Sequence, residues 1–204
     1  MRRPQTRIQA KNSETILDAA LDVFSAAGFR GATLDQIADV AGLSKPNLLY
    51  YFPSKEAVHT ALLSQLLDTW LDPLRAMDPN GDPLTQIMGY VRAKLNFSRD
   101  FPRQSRLFAN EILQGAPHMR PAIEGDLKTL VIEKTAVLQT WMDQGKIARL
   151  PPVHLLFSIW SLTQHYADFD CQIRALLGPD HDAFPVAGDY LETLFRKLLQ
   201  VSDT

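Results

Sequence analysis

Residues 33–56, TLDQIADVAGLSKPNLLYYFPSKE, constrain the fold of this chain more than any other segment. Thr33 and Gln36 have the spacing of a capping box, which predicts that a short helix begins here. Gly42 then predicts a tight turn, and Ser44, followed two residues later by a proline, predicts the start of a second helix. Two short helices joined by a glycine-containing turn are typical of the helix-turn-helix, whose second helix enters the major groove of DNA.

The second of these helices carries hydrogen-bond donors and aromatic rings rather than a uniformly apolar face. Asn47 has the side chain that reads an adenine edge, and Lys45 suits a guanine or a phosphate. A helical hairpin with a purely structural role is the alternative. Under the DNA-binding interpretation, the contacts come from the base-reading candidates Lys45, Asn47 and Tyr50, the phosphate candidates Thr33, Tyr51 and Lys55, and the cap residue Ser44.

The string LDQIADVAGLSKPNLLYYFPSKEAV resembles the signature of the TetR family of bacterial transcriptional regulators. This resemblance implies a DNA-binding domain over residues 1–55 and a ligand-binding and dimerisation domain over residues 56–204. It also implies a regulator that binds operator DNA as a homodimer. The motif covers only the N-terminal quarter of the chain, so the remainder needs its own evidence.

The charge distribution agrees with a DNA-binding N-terminus. Residues 1–55 carry seven Lys or Arg and five acidic residues, whereas the other 149 residues carry fourteen and eighteen. The N-terminal part is therefore +2 within a chain of net charge −2. Phosphate binding needs local positive charge rather than a basic chain. Arg2, Arg3 and Arg7 are candidates for a basic arm that reaches DNA, and a solubilising tail is the other interpretation.

Apolar periodicity predicts helices throughout the chain. Ile16, Ala20, Val23, Phe24 and Ala27 form one stripe, and this first helix is expected to begin at residue 12 or 13 and to end at Gly28. No segment alternates as a strand would, so the predicted fold class is all-α. Further helices are expected over residues 54–72, 83–100, 103–114, 121–144, 153–169 and 184–201. The connector DPLRAMDPNGDP is the clearest break.

The helix over residues 153–169 is apolar on most of its surface, which requires packing partners on most sides. In regulators of the TetR family the last two helices pair with their copies in a second chain. The resemblance therefore implies a two-fold dimer. An intrachain core that absorbs the whole apolar surplus is the alternative.

Several strings beyond the DNA motif resemble the pyrimidine-utilisation regulators of this family, among them KLNFSRDFP, SRLFANEILQGAP and IWSLTQHYADF. This resemblance implies a repressor that binds uracil or thymine and then releases DNA. A pyrimidine base needs flat apolar walls and side chains that donate and accept hydrogen bonds. The wall candidates are Trp70 and Trp160, and the polar candidates are Gln164, Lys94, Ser98, Arg99, Asn110 and Gln114. A different and possibly lipophilic effector is the alternative.

Other classes of protein find little support. The five histidines show no metal-ligand spacing, and no catalytic motif or glycine-rich phosphate loop occurs. We therefore expect no enzyme activity, no cofactor and no metal site. The single cysteine excludes an intramolecular disulfide, and no apolar run approaches the ~20 residues of a membrane span. These features favour a cytoplasmic protein without a membrane partner.

Overall fold

The computed structural model describes residues 7–201, and its regular secondary structure over that range is entirely helical. This confirms the predicted all-α class. None of the helices within residues 7–201 is long and apolar enough to cross a membrane. Arg2 and Arg3 of the predicted basic arm lie outside the described residues.

The helices are numbered in chain order. They are α1 Arg7–Gly31, α2 Leu34–Val40, α3 Lys45–Tyr51, α4 Lys55–Arg75, α5 Pro83–Asp100, α6 Pro102–Leu113, α7 Arg120–Ala122, α8 Lys128–Asp143, α9 Pro152–Asp168, α10 Asp170–Leu177 and α11 Phe184–Leu199. A π-helical turn, Ile123–Leu127, joins α7 to α8.

The chain divides into two compact units that are not continuous in sequence. The first unit comprises residues up to Leu67 together with Arg106–Arg120, and the second comprises Asp68–Ser105 together with the residues from Pro121 onward. Helices α4 and α6 therefore each begin in one unit and end in the other. The functional boundary expected between residues 55 and 56 stays a prediction.

The first unit is built on α1. Most of its predicted apolar stripe is buried, with Ile16 and Ala20 fully enclosed and Phe24 1% exposed, but Ala27 at its end is exposed. Helix α2 packs against α1, and α3 packs against α2. The predicted start at residue 12 or 13 is wrong, because α1 is already helical from Arg7. The predicted end at Gly28 is partly wrong, because the helix resumes after a kink there (φ 68°, ψ 171°) and ends at Gly31.

The turn between α2 and α3 follows its sequence signals closely. The Thr33 hydroxyl accepts a hydrogen bond from the Gln36 amide at 3.2 Å, and the Gln36 side chain accepts one from the Thr33 amide at 2.9 Å. This reciprocal pair is the predicted capping box. Gly42 has φ 67°, a left-handed conformation that glycine adopts without a steric penalty. Ser44 caps α3 by accepting from the Asn47 amide at 3.4 Å.

The second unit is a bundle in which α5 packs against α9 and α11, and α8 also contacts α9. Large side chains fill its centre: Met88, Leu138, Trp141, Leu156, Ile159 and Phe195 are each at most 1% exposed. The helix predicted over residues 121–144 is present in two parts, with the π-helical turn between them.

Helix α4 extends three residues beyond its predicted end at Asp72, past Pro73 to Arg75. A proline in a helix removes one backbone donor, which favours termination. Here Arg75 stabilises the last turn, since its guanidinium contacts Asp72 at 2.9 Å and Asp68 at 3.0 Å and also donates to the Asp68 carbonyl. Cations near a helix C-terminus are favoured by the helix dipole.

Candidate DNA-binding surface and effector site

Helix α3 is anchored by one side chain and exposes the others. Leu48 is fully buried, whereas Lys45, Asn47 and Tyr50 are exposed, Tyr50 by 70%. These are the three side chains predicted to read bases, and they are accessible to a ligand as large as duplex DNA. Their exposure permits a contact with DNA, and their role in reading bases stays a prediction.

Two tyrosines connect the end of α3 to the beginning of α1. The side-chain Nε2 of Gln9 donates to the Tyr50 hydroxyl at 3.2 Å, and the side-chain Nδ2 of Asn12 donates to the Tyr51 hydroxyl at 2.8 Å. The two tyrosine rings meet edge to face with centroids 5.2 Å apart. These bonds cross about forty residues of sequence and fix the orientation of α3 against α1.

Thr33, Ser44 and Lys45, which are predicted DNA contacts, already have partners within the first unit. The hydroxyls of Thr33 and Ser44 cap α2 and α3, as described above. The Lys45 ammonium pairs with Asp35 at 2.9 Å, and both side chains are exposed. Exposed ion pairs contribute ~0–1 kcal/mol, so this one costs little to exchange for a phosphate.

Lys55 requires a correction. We expected its ammonium to contact a DNA phosphate, but in the structure it donates to the carbonyls of Phe29 and Ala32, both at 2.8 Å. It also lies 4.6 Å from the centroid of the Phe29 ring. Two of its three hydrogens are therefore used to satisfy carbonyls at the end of α1. Lys55 fastens α4 to α1, which is a structural role.

The candidate effector site lies in the second unit, on the faces where α5 and α9 pack together. Tyr90, Lys94 and Ser98 follow one another at i, i+4 and i+8 on α5, and all three are buried. Trp160, Gln164 and Asp168 have the same spacing on α9, and all three are partly buried. Residues four apart share one face of a helix, so each helix presents a stripe of polar and aromatic groups.

Lys94 is the main charged group of this site. It is 6% exposed, and its ammonium lies 5.2 Å from the centroid of the Trp70 ring, which is itself 5% exposed. Burial lowers the pKa of Lys94 to about 8, and the Asp168 carboxylate opposes that shift. Burial of a cation against an indole lowers the stability of the ligand-free protein. The Lys94 ammonium is available to donate a hydrogen bond to a carbonyl oxygen of a ligand.

Two short hydrogen bonds hold other polar groups of the site in place. The Trp160 indole donates to the Tyr90 hydroxyl at 2.6 Å, and burial raises the pKa of Tyr90 well above its usual value. The Ser105 hydroxyl donates to Asp168 at 2.6 Å. The side chain of Gln164, in contrast, makes no hydrogen bond to another residue in the part of the chain that the structure describes, so its carboxamide is available to a ligand.

Three predicted pocket residues are not brought to this site. Arg99 is exposed and pairs with the adjacent Asp100 at 2.8 Å. Asn110 and Gln114 are exposed and belong to the first unit. The expectation that these side chains turn inward is therefore wrong in this structure. Their helices present other faces to the core.

Tyr90, Ser105 and Asp168 belong to the site but were not predicted from the sequence. The signal for Tyr90 was the four-residue spacing to Lys94 and Ser98 on an otherwise apolar helix face. The same spacing places Asp168 after Gln164. No comparable local signal marks Ser105, because its partner Asp168 is 63 residues away.

Comparison with known proteins identifies the family of the chain. Residues 16–62 match the family of bacterial regulatory proteins of the tetR type, and residues 63–201 match the C-terminal region of YcdC-like proteins. The chain is 51% identical over 174 residues to the HTH-type transcriptional regulator RutR of Escherichia coli K12. The aligned residues cover 85% of this chain and 82% of that protein. The RutR of Shigella flexneri matches to the same extent.

Solved structures share the fold at lower identity. The ketosteroid transcriptional regulator KstR2 of Mycobacterium tuberculosis superposes with a TM-score of 0.72 at 23% identity, over 96% of this chain and 97% of that one. A TetR-like transcriptional regulator from Rhodococcus gives 0.68 at 24% identity, over 97% and 98%. As expected, these relatives are regulators and not enzymes. The chain belongs to the TetR family of bacterial regulatory proteins, as a ligand-responsive DNA-binding transcriptional regulator closely related to RutR.

Proposed function

We propose that this protein is a repressor that binds operator DNA as a homodimer and is released from it by a pyrimidine base, uracil or thymine. The observation that carries the proposal is the contact of buried Lys94 with Trp70, in the same unit as Gln164. The 51% identity to RutR over 85% of the chain supports the same effector class, in line with the resemblance seen in the sequence.

The chemistry of a pyrimidine base fits these groups. The ring is flat, and it offers two N–H donors and two carbonyl acceptors. The indoles of Trp70 and Trp160 supply flat apolar walls, and the Lys94 ammonium can donate to a ring carbonyl. The Gln164 carboxamide can donate to a carbonyl and accept from the neighbouring ring N–H, which matches an imide edge. Ser98 supplies a further hydroxyl.

A lipophilic effector fits the site less well. An acyl chain satisfies none of the buried polar groups, and a buried polar group left without a partner costs ~1–3 kcal/mol. The Lys94 ammonium and the Gln164 carboxamide would both face the alkyl chain. The polar stripes of α5 and α9 therefore favour a small ligand that forms several hydrogen bonds.

The homodimer is proposed from the exposed apolar side chains of the second unit. On its last three helices, side chains such as Phe157, Phe169, Leu176, Val186 and Tyr190 are between 47% and 76% exposed. Contiguous apolar surface on a lone chain marks an interaction surface. A two-fold dimer covers such a surface and presents two recognition helices to two half-sites of an operator.

The coupling between the two sites is proposed to use α4. This helix begins at Lys55 in the first unit and carries Trp70 near its other end in the second unit. A ligand that contacts Trp70 acts directly on the C-terminal part of the helix that follows α3. It releases DNA only if it binds the DNA-incompetent arrangement more tightly than the competent one.

A fluorescence titration tests the proposal. The chain has three tryptophans, and Trp141 is buried away from the proposed site, where it donates to the Pro79 carbonyl at 3.0 Å. In Trp141→Phe the two remaining tryptophans are the proposed walls of the site. We expect saturable quenching by uracil or thymine, and release of operator DNA over the same concentration range. Cytosine, which lacks the imide edge, is the matched control ligand.

Two outcomes would contradict the proposal. The pyrimidine assignment fails if neither base changes the fluorescence of a folded protein that still binds operator. A fatty acyl ligand that releases DNA while both bases are inert would favour the lipophilic alternative.

A further inference from the structure

His59, Glu111 and His118 come together in the first unit, far from one another in sequence. His59 lies on α4, Glu111 on α6, and His118 in the turn after α6. The donor atoms that these three side chains offer all lie within 4.8 Å of one another. His59 and Glu111 are 2% and 5% exposed, and His118 is partly buried. Neither the recognition helix nor the effector site uses these residues.

The local backbone explains how His118 reaches Glu111. Gly115 and Ala116 both adopt positive φ angles, 88° and 55°, which reverse the chain after α6. The Ala116 amide donates to the Glu111 carbonyl at 2.9 Å, and the His118 amide donates to Glu111 Oε1 at 2.7 Å. A positive φ at alanine is unfavourable, so the surrounding contacts must hold this turn. The turn brings the His118 ring over the carboxylate.

The side chains of the cluster are already in contact without an ion, through a hydrogen bond between His118 and Glu111. His118 Nδ1 lies 3.1 Å from Glu111 Oε2, and the rings of His59 and His118 meet with centroids 4.9 Å apart. Ligand atoms of a tetrahedral zinc ion are about 3.4 Å apart, given bonds of about 2.1 Å. Small side-chain rotations would bring a separation of up to 4.8 Å to this value.

One atom of the cluster lacks a partner. His59 Nδ1 is buried and has no hydrogen-bond partner among the residues that the structure describes. A buried polar atom without a partner costs ~1–3 kcal/mol, so its presence requires an explanation. A lone pair on a neutral imidazole is the form that binds a metal ion.

The cluster lies against two phenylalanine rings of α1. The centroid of the Phe29 ring lies 4.7 Å from those of both histidine rings, and that of the Phe24 ring lies 4.8 Å from that of His59. These rings keep much of the surroundings of the two imidazoles apolar.

We propose that His59, Glu111 and His118 form a binding site for a divalent transition-metal ion of the zinc type. Two imidazoles and one carboxylate are a common set of protein ligands for zinc and leave a fourth position for water. The His118 amide that donates to Glu111 Oε1 would orient the carboxylate as an outer-shell partner. The ion would join α4 to the segment Arg106–Arg120, which comes from a distant part of the sequence and belongs to the same unit.

Cobalt binding tests this site directly, because tetrahedral Co²⁺ has visible absorption bands that report its ligands. Untagged full-length protein, first stripped with a chelator, is titrated with Co²⁺ and then with Zn²⁺, and bound metal is counted per chain. We expect one equivalent of Co²⁺ with visible bands, displacement by Zn²⁺, and a higher thermal midpoint with either ion. Mg²⁺, which prefers six oxygen ligands, should have none of these effects.

Single substitutions assign the ligands. Glu111→Gln preserves the size of the side chain, and His118→Gln and His59→Gln each remove one imidazole; each change should weaken Co²⁺ binding at least tenfold. His165→Gln, at an exposed histidine in the second unit, is the matched control and should bind one equivalent. Circular dichroism with chelator present verifies that each variant is folded.

The wild-type titration remains decisive even if a variant fails to fold. Absence of stoichiometric binding by wild-type protein at 100 µM, on the order of concentrations used for weak sites, would overturn the proposal. Unchanged binding in folded Glu111→Gln and His118→Gln would overturn it as well.

Discussion

The ammonium of Lys94 lies 5.2 Å from the centre of the Trp70 ring, at a position where the lysine is 6% exposed. A cation–π contact of this kind contributes ~1–2 kcal/mol, less than the cost of removing an ammonium from water. The ligand-free protein therefore keeps this charge at the expense of stability. A ligand carbonyl that accepts a hydrogen bond from the ammonium would offset part of this desolvation free energy. The instability of the ligand-free site therefore contributes to its affinity for such a ligand.

Lys94→Met should stabilise the ligand-free protein and abolish pyrimidine binding. Burial lowers the pKa of Lys94 to about 8 in the folded state, against 10.5 for a free lysine. The unfolded chain therefore binds a proton between pH 8 and 10.5 that the folded protein does not. As the pH falls through this range the wild type loses stability, and below pH 8 the penalty is constant.

We expect the methionine variant to be more stable by ~1–3 kcal/mol at pH 7, with a smaller difference at pH 10. Urea unfolding at both pH values measures this. A variant that is less stable at pH 7 would show that the cation contributes net stability.

Trp70→Ala should prevent effector-induced release while leaving operator binding intact. Trp70 lies on the part of α4 that belongs to the second unit, so its loss removes one wall of the proposed base site without altering α3. Its side chain is buried, and truncation should destabilise the protein by ~3–5 kcal/mol. Trp70→Phe keeps much of the packing and is the control. Weaker operator binding by ligand-free, folded Trp70→Ala would indicate a structural role in the DNA-binding state.

Gln164→Leu should weaken uracil binding by at least tenfold and change stability by less than about 0.5 kcal/mol. The side chain is partly buried and has no hydrogen-bond partner among residues 7–201, so the fold loses no internal bond. The ligand would lose a group that both donates and accepts. Calorimetric titration and thermal unfolding of the same sample separate the two effects. Equal affinity in the variant would remove Gln164 from the site.

Lys55→Met should destabilise the first unit by ~1–3 kcal/mol, because the carbonyls of Phe29 and Ala32 lose their shared donor. Its effect on DNA binding should follow that loss of stability. Lys45→Ala, on the exposed face of α3, should leave stability unchanged. It should reduce the slope of the logarithm of the DNA-binding constant against the logarithm of salt concentration by about one unit. If Lys55→Met lowered the salt slope at unchanged stability, the phosphate contact first expected for Lys55 would be restored.

Local signals account for the parts of the structure that could be predicted. The capping box at Thr33 and the turn at Gly42 depend on residues within a few positions, and periodicity alone identified most helices. Lys55 was misassigned because its carbonyl partners are 26 and 23 residues away in sequence. His59 gave no metal-ligand spacing, since Glu111 and His118 lie on other elements. Sequence spacing cannot reveal such groupings when tertiary packing creates them.

The first unit is assembled from two stretches of chain, and this limits how the protein can be divided or recombined. A fragment that ends at Leu67 would lack Arg106–Arg120, including the partners that cover His59. An exchange of N-terminal segments between relatives would likewise combine one α4 with a foreign α6. We expect such chimeras to fold and bind DNA only when residues 106–120 come from the same parent protein as the DNA-reading helices. The segment that must be exchanged as a whole is therefore discontinuous in sequence.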